Sequence, residues 1–500
     1  MFARIQSAQL TGLGAAGVAV EVDIARGLYL FQIVGLPDKA VEESRERVIA
    51  SLRNSVDINP KSENEKVTVS LSPAELKKEG AYFDVAIAIG YLKSKGVVTG
   101  ETDKKLFLGE LALNGEVRPI RGLLSIADWA KTNGFTELFI PKENEQEATL
   151  ISGVTFYLVP TLSDLVVHIN GGVQLNAAPF VPFSHTAKAS EIDFGDVRGQ
   201  ESAKRALTIA AAGGHNIILY GPPGTGKTML ARAFHSIIPP PDTETFLDVA
   251  RIYSSIGLIE DALASPVPLR SPHHSASHVA IIGGGQQLRP GDITLAHHGI
   301  LYMDEFPEFD RRVLEALREP LEDGHITVAR AKGSIRYPAS FILLAAMNPC
   351  PCGYRGSGIK PCTCSGMELA RYSKKLSGPI MDRIDLWVPV QHIEYAALHQ
   401  ERVAGESDYL KTLVKNTRDK QHDRHHKLNR SLSANDIQAG VGLTEKAQEL
   451  LKQFSERVKL SPRAYLKTIK VARTIADIDG AEEIEESHIL EALQYRPKFE

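Results

Sequence analysis

An apolar run, NIILY at 216–220, leads directly into GPPGTGKT at 221–228, and MLARAFHSI follows with the spacing of a helix. No other stretch constrains the fold as strongly. Glycines at 221, 224 and 226 let the chain bend tightly, so that its backbone N–H groups converge on one point. The helix beginning at the end of the loop adds the positive end of its dipole. A strand, a loop and a helix in this order form a phosphate cradle, and they commit the surrounding residues to a parallel α/β sheet. The cradle is expected to comprise Gly221, Pro222, Pro223, Gly224, Thr225 and Gly226. Lys227 is expected to reach the β- and γ-phosphates of ATP, and Thr228 to hold Mg2+.

A second strand run, Ile300–Met303, ends in Asp304-Glu305. Two acids after an apolar run are commonplace by themselves. Beside a phosphate loop, the first can support Mg2+ and the second can polarise an attacking water. A third run, SFILLAAMN, ends in Asn348, whose amide can orient that water. Otherwise Asn-Pro at 348–349 is simply a turn.

The chain has 500 residues, 43% hydrophobic and 24% charged, and a net charge of −4. This is ordinary globular composition, and any contact with nucleic acid must be local. No apolar run approaches membrane-spanning length. The N-terminal MFARIQSAQLTGLGAAGVAVEVDI lacks a charged region followed by a long apolar core, so a reducing, cytoplasmic setting without membrane association is expected. Residues 1–172 mix strand-like runs (VAVEVDI, LYLFQIVG, KVTVSLS) with helical ones (DKAVEESRERVIASLRN, FDVAIAIGYLKSKG) and read as an α+β domain. Residues 173–189 form a polar, proline-punctuated linker. Residues 190–395 alternate strands and helices, and 396–500 turn helical, with an apolar stripe through KAQELLKQFSERVKL and YLKTIKVARTIADI.

Beyond the nucleotide loop, DFGDVRGQ (193–200), LSGPIMDRIDL (377–387) and SPRAYLKTIKVARTIAD (461–477) resemble the AAA+ ATPases. SPHHSAS (271–277), LREPLEDG (317–324) and NPCPCGY (348–354) are similar to signatures of the magnesium-chelatase-like ComM/YifB family. The resemblance implies a multidomain α/β protein: an S5-like, Lon-protease-type N-terminal domain, an AAA+ core and a helical lid. It implies a homo-oligomeric ring, hexameric in the family, with ATP between neighbours. Arg383 matches the finger that reaches the next subunit's γ-phosphate, and Arg463 matches the second sensor, with Arg473 as its competitor. The positions of the Lon-type Ser and Lys are occupied by Tyr82 and Leu124, which cannot furnish an activated alkoxide; a binding or ring-forming platform is expected instead. The implied activity is ATP-driven branch migration or helicase-type remodelling of DNA, in recombination and natural transformation. The rival is a remodeller of proteins, as magnesium-chelatase motor subunits are.

GHITVARAKGSIRYPAS reads as a β-hairpin ahead of the Asn348 strand. The resemblance makes it a pore hairpin, with Lys332 at its tip and Arg330 and Arg336 on its arms. Repeated around a ring, these cations suit contact with the phosphates of branched or single-stranded DNA. The insertion SPHHSASHVAIIGGGQQLRPGD (271–292) carries His273, His274 and His278, read as a glycine-rich pore element in preference to a metal site. The basic run 415–430 reads as a solvated face or interdomain loop before a DNA contact.

All four cysteines, Cys350, Cys352, Cys362 and Cys364, fall in MNPCPCGYRGSGIKPCTCS. Each Cys-x-Cys, if extended, points both sulfurs to one side, and the glycine-rich loop lets the pairs face each other. A structural Zn2+ is preferred; reduced thiols, disulfides and an iron–sulfur cluster are the alternatives.

Overall fold

Strands that read as continuous apolar runs need cover on both faces, and the ATP-loop sheet shows it. Ile300–Met303 and Ile342–Met347 are buried at every position, and Ile217–Tyr220 at all but its last. The computed structural model describes residues 1–183, 192–285, 288–330, 333–358, 360–392 and 404–497. The chain divides into two units, Met1–His185 with Ala250–Leu263, and Thr186–Val249 with Ala264–Glu500. Part of the expected linker, 184–189, lies outside the described residues. No helix among the described residues is long and apolar enough to cross a membrane.

The first unit is built on a seven-stranded mixed sheet. Its spatial order is Leu30–Val34, Glu65–Ser72, Gly14–Arg26, Phe2–Thr11, Lys105–Phe107, Glu137–Pro141 and Thr155–Val159. The strand-like and helical runs of the sequence occupy the elements expected of them. Helix Lys39–Ser55 begins where the Asp38 carboxylate accepts the Val41 N–H at 2.9 Å. Helix Asp84–Ser94 is apolar almost all round and is buried accordingly. Asp84, buried at its start, pairs with Arg47 at 2.6 and 3.1 Å. Burial pushes the Tyr82 phenol up to about 12, and Leu124 is fully covered.

The second unit holds a five-stranded, all-parallel sheet. Its order is Leu269–Arg270, Ile300–Met303, Ile342–Met347, Ile217–Tyr220 and Leu386–Pro389. The nucleotide-loop strand therefore lies inside the sheet, with the Asn348 strand between it and the acidic one. Among the described residues from 404 onward lie the α-helices Glu406–His425, Ala434–Gly440, Glu445–Val458, Pro462–Asp479 and Glu486–Gln494. They share one hydrophobic cluster with the sheet, through residues such as Val471, Ile475 and Ile489.

Candidate active site

The loop, the acidic pair and the asparagine leave the sheet at the same edge because the strands run parallel and nearly in step. Tyr220 stands opposite Met347, and Met303 opposite Ala345. This edge, at the carboxyl ends of the strands, is where open α/β sheets bind ligands. Gly221 is required by packing: a Cβ there would stand 2.1 Å from the Val390 carbonyl oxygen. Gly224 and Gly226 are required by backbone, at φ +77° and +86°. Helix Lys227–Ser236 starts immediately after them.

The polar side chains then meet. Lys227 Nζ donates to the carbonyls of Gly221 and Pro222, each at 2.8 Å, and to Asn348 Oδ1 at 3.2 Å. Burial lowers the lysine pKa, and Asp304 pulls it back up. Thr228 Oγ1 donates to Asp304 Oδ2 at 3.1 Å, so two hard oxygen donors lie side by side, as Mg2+ requires. Glu305 follows in left-handed backbone at φ 50°, its side chain half exposed. Thr225 Oγ1 closes the loop on the Pro222 carbonyl at 3.0 Å. Gln200, at the end of the DFGDVRGQ motif, also reaches the loop. Its amide donates to Gln391 O at 2.6 Å and Thr225 O at 3.4 Å.

The two arginines of interest lie elsewhere within a single chain. Arg383 donates to the carbonyls of Arg318 (3.1 Å) and Pro379 (2.7 Å). It shares the carboxylate of Glu322 with Arg463, one oxygen each. Arg473 is fully buried and committed to Asp477 and to the carbonyls of Val441, Ala481 and Glu482. The side chain of Arg463, by contrast, is 42% exposed.

The cysteines converge, though the first pair does so differently from expectation. Cys350 and Cys352 occupy a turn closed by Gly353 N–H on Cys350 O at 2.9 Å, rather than an extended chain, because Pro351 and the positive φ of Gly353 (+85°) fold it back. Cys350 Sγ lies 3.3 Å from that of Cys352 and 3.7 Å from that of Cys362, and all four sulfurs lie within 4.8 Å of one another. A Zn–S4 tetrahedron has edges of about 3.8 Å, so the set fits that ion. Backbone N–H groups of Tyr354 and Thr363 hold the Cys352 thiol down at about 5. The turn seats on the phosphate loop: a Cβ on Gly353 would stand 2.8 Å from Pro223 Cδ. Tyr372 hydroxyl donates to the Asn348 carbonyl at 2.9 Å.

The expected hairpin forms from His325–Arg330 and Gly333–Pro338, antiparallel. Its tip, Lys332, and the side chain of Arg330 lie outside the described residues. Arg336 donates to His325 Nδ1 at 2.7 Å. Much of the basic run 415–430 is spent on the fold. Arg418 donates to Ala211 O at 2.7 and 3.0 Å, Arg424 pairs with Asp477, and Arg430 donates to Phe341 O. His273, His274 and His278 form no metal-binding group among the described residues, where the four-cysteine cluster is the one that qualifies.

Three family models match successive parts of the chain. Residues 193–398 match magnesium chelatase, subunit ChlI; 20–144 match subunit ChlI of Mg-chelatase; and 404–496 match the ChlI C-terminal region. The competence protein ComM of Haemophilus influenzae is 40% identical over 495 residues, covering 97% of this chain and 95% of that protein. YifB of Escherichia coli is 40% identical over 489 residues, with the same coverage. The magnesium-chelatase 38 kDa subunit of Rhodobacter capsulatus is 27% identical over 179 residues, 31% of this chain and 50% of that one.

Proposed function

The chain belongs to the magnesium-chelatase-like ComM/YifB family of AAA+ ATPases, and from that premise we propose that it is a ring-forming motor that moves or remodels DNA. The observation that carries the ATPase half is the hydrogen-bonded set Lys227–Asn348 and Thr228–Asp304 at one sheet edge, with Glu305 beside it. In this reading the loop and Lys227 hold the phosphates, and Thr228 and Asp304 would hold Mg2+, which would supply charge neutralisation for the transferred phosphoryl group. Glu305 accepts a proton from the attacking water as the bond to the ADP oxygen breaks, and Asn348 positions that water. Arg383 enters from a neighbouring copy, and Arg463 senses nucleotide from the helical lid. The N-terminal unit serves as a platform without proteolysis.

The DNA half rests on Arg330, Lys332 and Arg336 of the hairpin and on the relative named as a competence protein. Single-stranded or branched DNA is expected to raise ATP turnover severalfold at low salt and to lose that effect as salt rises. Lys332→Ala should weaken DNA binding while leaving nucleotide affinity intact. Turnover indifferent to every DNA tested would favour the second reading, a remodeller of proteins, which the likeness to a magnesium-chelatase subunit supports.

The cysteine cluster enters the same proposal as a structural zinc knuckle, seating the turn after Asn348 on the phosphate loop. Reduced, chelator-free protein should carry about one zinc per chain. Cys352→Ser and Cys364→Ser should each lose it and lower the melting temperature by several degrees, about what removing a structural metal ligand costs. Metal-free protein of unchanged stability would refute the knuckle.

A further inference from the structure

Helix Gly366–Ser373 begins just after the last cysteine, and a capping box fixes its start. The Ser365 hydroxyl accepts the Glu368 N–H at 3.3 Å, and the Glu368 carboxylate accepts the Ser365 N–H at 2.8 Å. Tyr372, and Leu376 just beyond the helix, turn inward and are buried. Met367, Arg371 and Lys374, four and three positions apart, share the outer face and are all exposed. Met367 is 84% exposed, and neither cation makes an ion pair among the described residues. The helix is fixed to the nucleotide edge by Tyr372, whose hydroxyl donates to the Asn348 carbonyl, and by Lys375, which pairs with Glu308.

A cavity in the same unit has the opposite character. It measures about 740 Å3 and lies among the inserted segment, the helices Arg311–Ala316 and Arg318–Asp323 and the hairpin strand His325–Arg330. Its floor is apolar, made by the buried Ile282, Ile326 and Val328. Its lining carries four carboxylates against two arginines. Glu315 is engaged by Arg318, and Glu322 by Arg383 and Arg463. Glu319 and Asp323 are left without a lysine or arginine among the described residues.

The two features stand on opposite sides of one nucleotide. Arg383 lines the cavity, and in the function proposed above it crosses to a neighbouring copy's γ-phosphate. The helix lies beside the loop that holds that phosphate. When the arginine crosses, the cavity of one copy is brought against the helix of the next.

We propose that the Met367–Arg371–Lys374 face of one copy docks in the cavity of the next. Met367 meets the apolar floor, Arg371 lies beside Glu319, and Lys374 lies beside Asp323. The partner is a second copy of this chain because the pieces match in kind and number: one apolar side chain for an apolar floor, two free cations for two free carboxylates. The docked helix sets how far Arg383 must reach. The inference rests on Arg383 acting between copies.

The test is assembly of the full-length protein, followed by sedimentation with Mg2+ and a non-hydrolysable ATP analogue, for Lys374→Glu, Asp323→Lys and the two together. Each single variant should need about tenfold more protein to assemble, since a repulsion replaces an attraction. The combined variant should recover most of that loss. Met367→Ser should weaken assembly severalfold, and the melting temperature should hold throughout because the altered positions are exposed. Single variants that assemble like the parent, or a combined variant no better than either single one, overturn the docking. Parental assembly with lost DNA binding in Arg371→Glu combined with Lys374→Glu also overturns it, and assigns the face to nucleic acid. If the charge swap rescues assembly while Arg383→Ala keeps full turnover, the docking stands and the finger falls. If Arg383→Ala is inactive while the charge variants assemble normally, the finger stands and the docking falls.

Discussion

Glu305→Gln binds ATP about as tightly as the parent chain and hydrolyses it about 10²–10⁴-fold more slowly, the range for removing a general base. The expectation follows from how the edge is divided. In the proposed division, phosphate and Mg2+ are left to Lys227, which donates to Asn348, and to Thr228, which donates to Asp304. Glu305 stands outside that set with its side chain half exposed, so an isosteric amide alters no group assigned to binding. It removes only the lone pair that takes the proton. Nucleotide affinity measured beside single-turnover phosphate release separates the two roles. Near-normal release would remove Glu305 from the reaction and return the role to another carboxylate.

Arg383→Ala abolishes turnover to a comparable degree, about 10³–10⁵-fold if the guanidinium neutralises transition-state charge from a neighbouring copy. Within one chain Arg383 is held by Glu322 and by the carbonyls of Arg318 and Pro379. It therefore reaches no phosphate of its own loop without breaking those bonds. Desolvation and the nearby Arg318 disfavour its charge, and Asp382 and Asp323 oppose them. Lysine at 383 should rescue poorly, since a point charge cannot reproduce a planar fork of donors. Equal turnover in Arg383→Ala and the parent, in protein shown to assemble, would dismiss the finger.

The parts legible in the sequence were those encoded by neighbours along the chain. The phosphate loop declared itself because strand, glycines and helix are contiguous, and Asp304, Glu305 and Asn348 because each ends an apolar run. The helical run DKAVEESRERVIASLRN and the apolar stripe of YLKTIKVARTIADI likewise located Lys39–Ser55 and Pro462–Asp479. What stayed hidden was pairing across distance. Nothing in LREPLEDG announces that Glu322 gathers Arg383 and Arg463. The choice between Arg463 and Arg473 turns on burial: one helix presents both, and packing alone decides that Arg473 is enclosed. The basic run 415–430 misleads for the same reason, since its arginines cap carbonyls that the sequence cannot place beside them. Cysteine spacing gave the right gathering with the wrong local geometry, because proline and a positive-φ glycine made a turn where alternation supposed a strand.

The central claim is that the working site is shared between copies, and mixing two inactive variants tests it most directly. Glu305→Gln supplies an intact Arg383, and Arg383→Ala supplies an intact Glu305. Co-assembled in equal amounts, the two should regain about a quarter of parental turnover, because about one junction in four then carries both groups in a head-to-tail ring. A mixture as inactive as its components, in rings shown to contain both chains, would contradict a shared site.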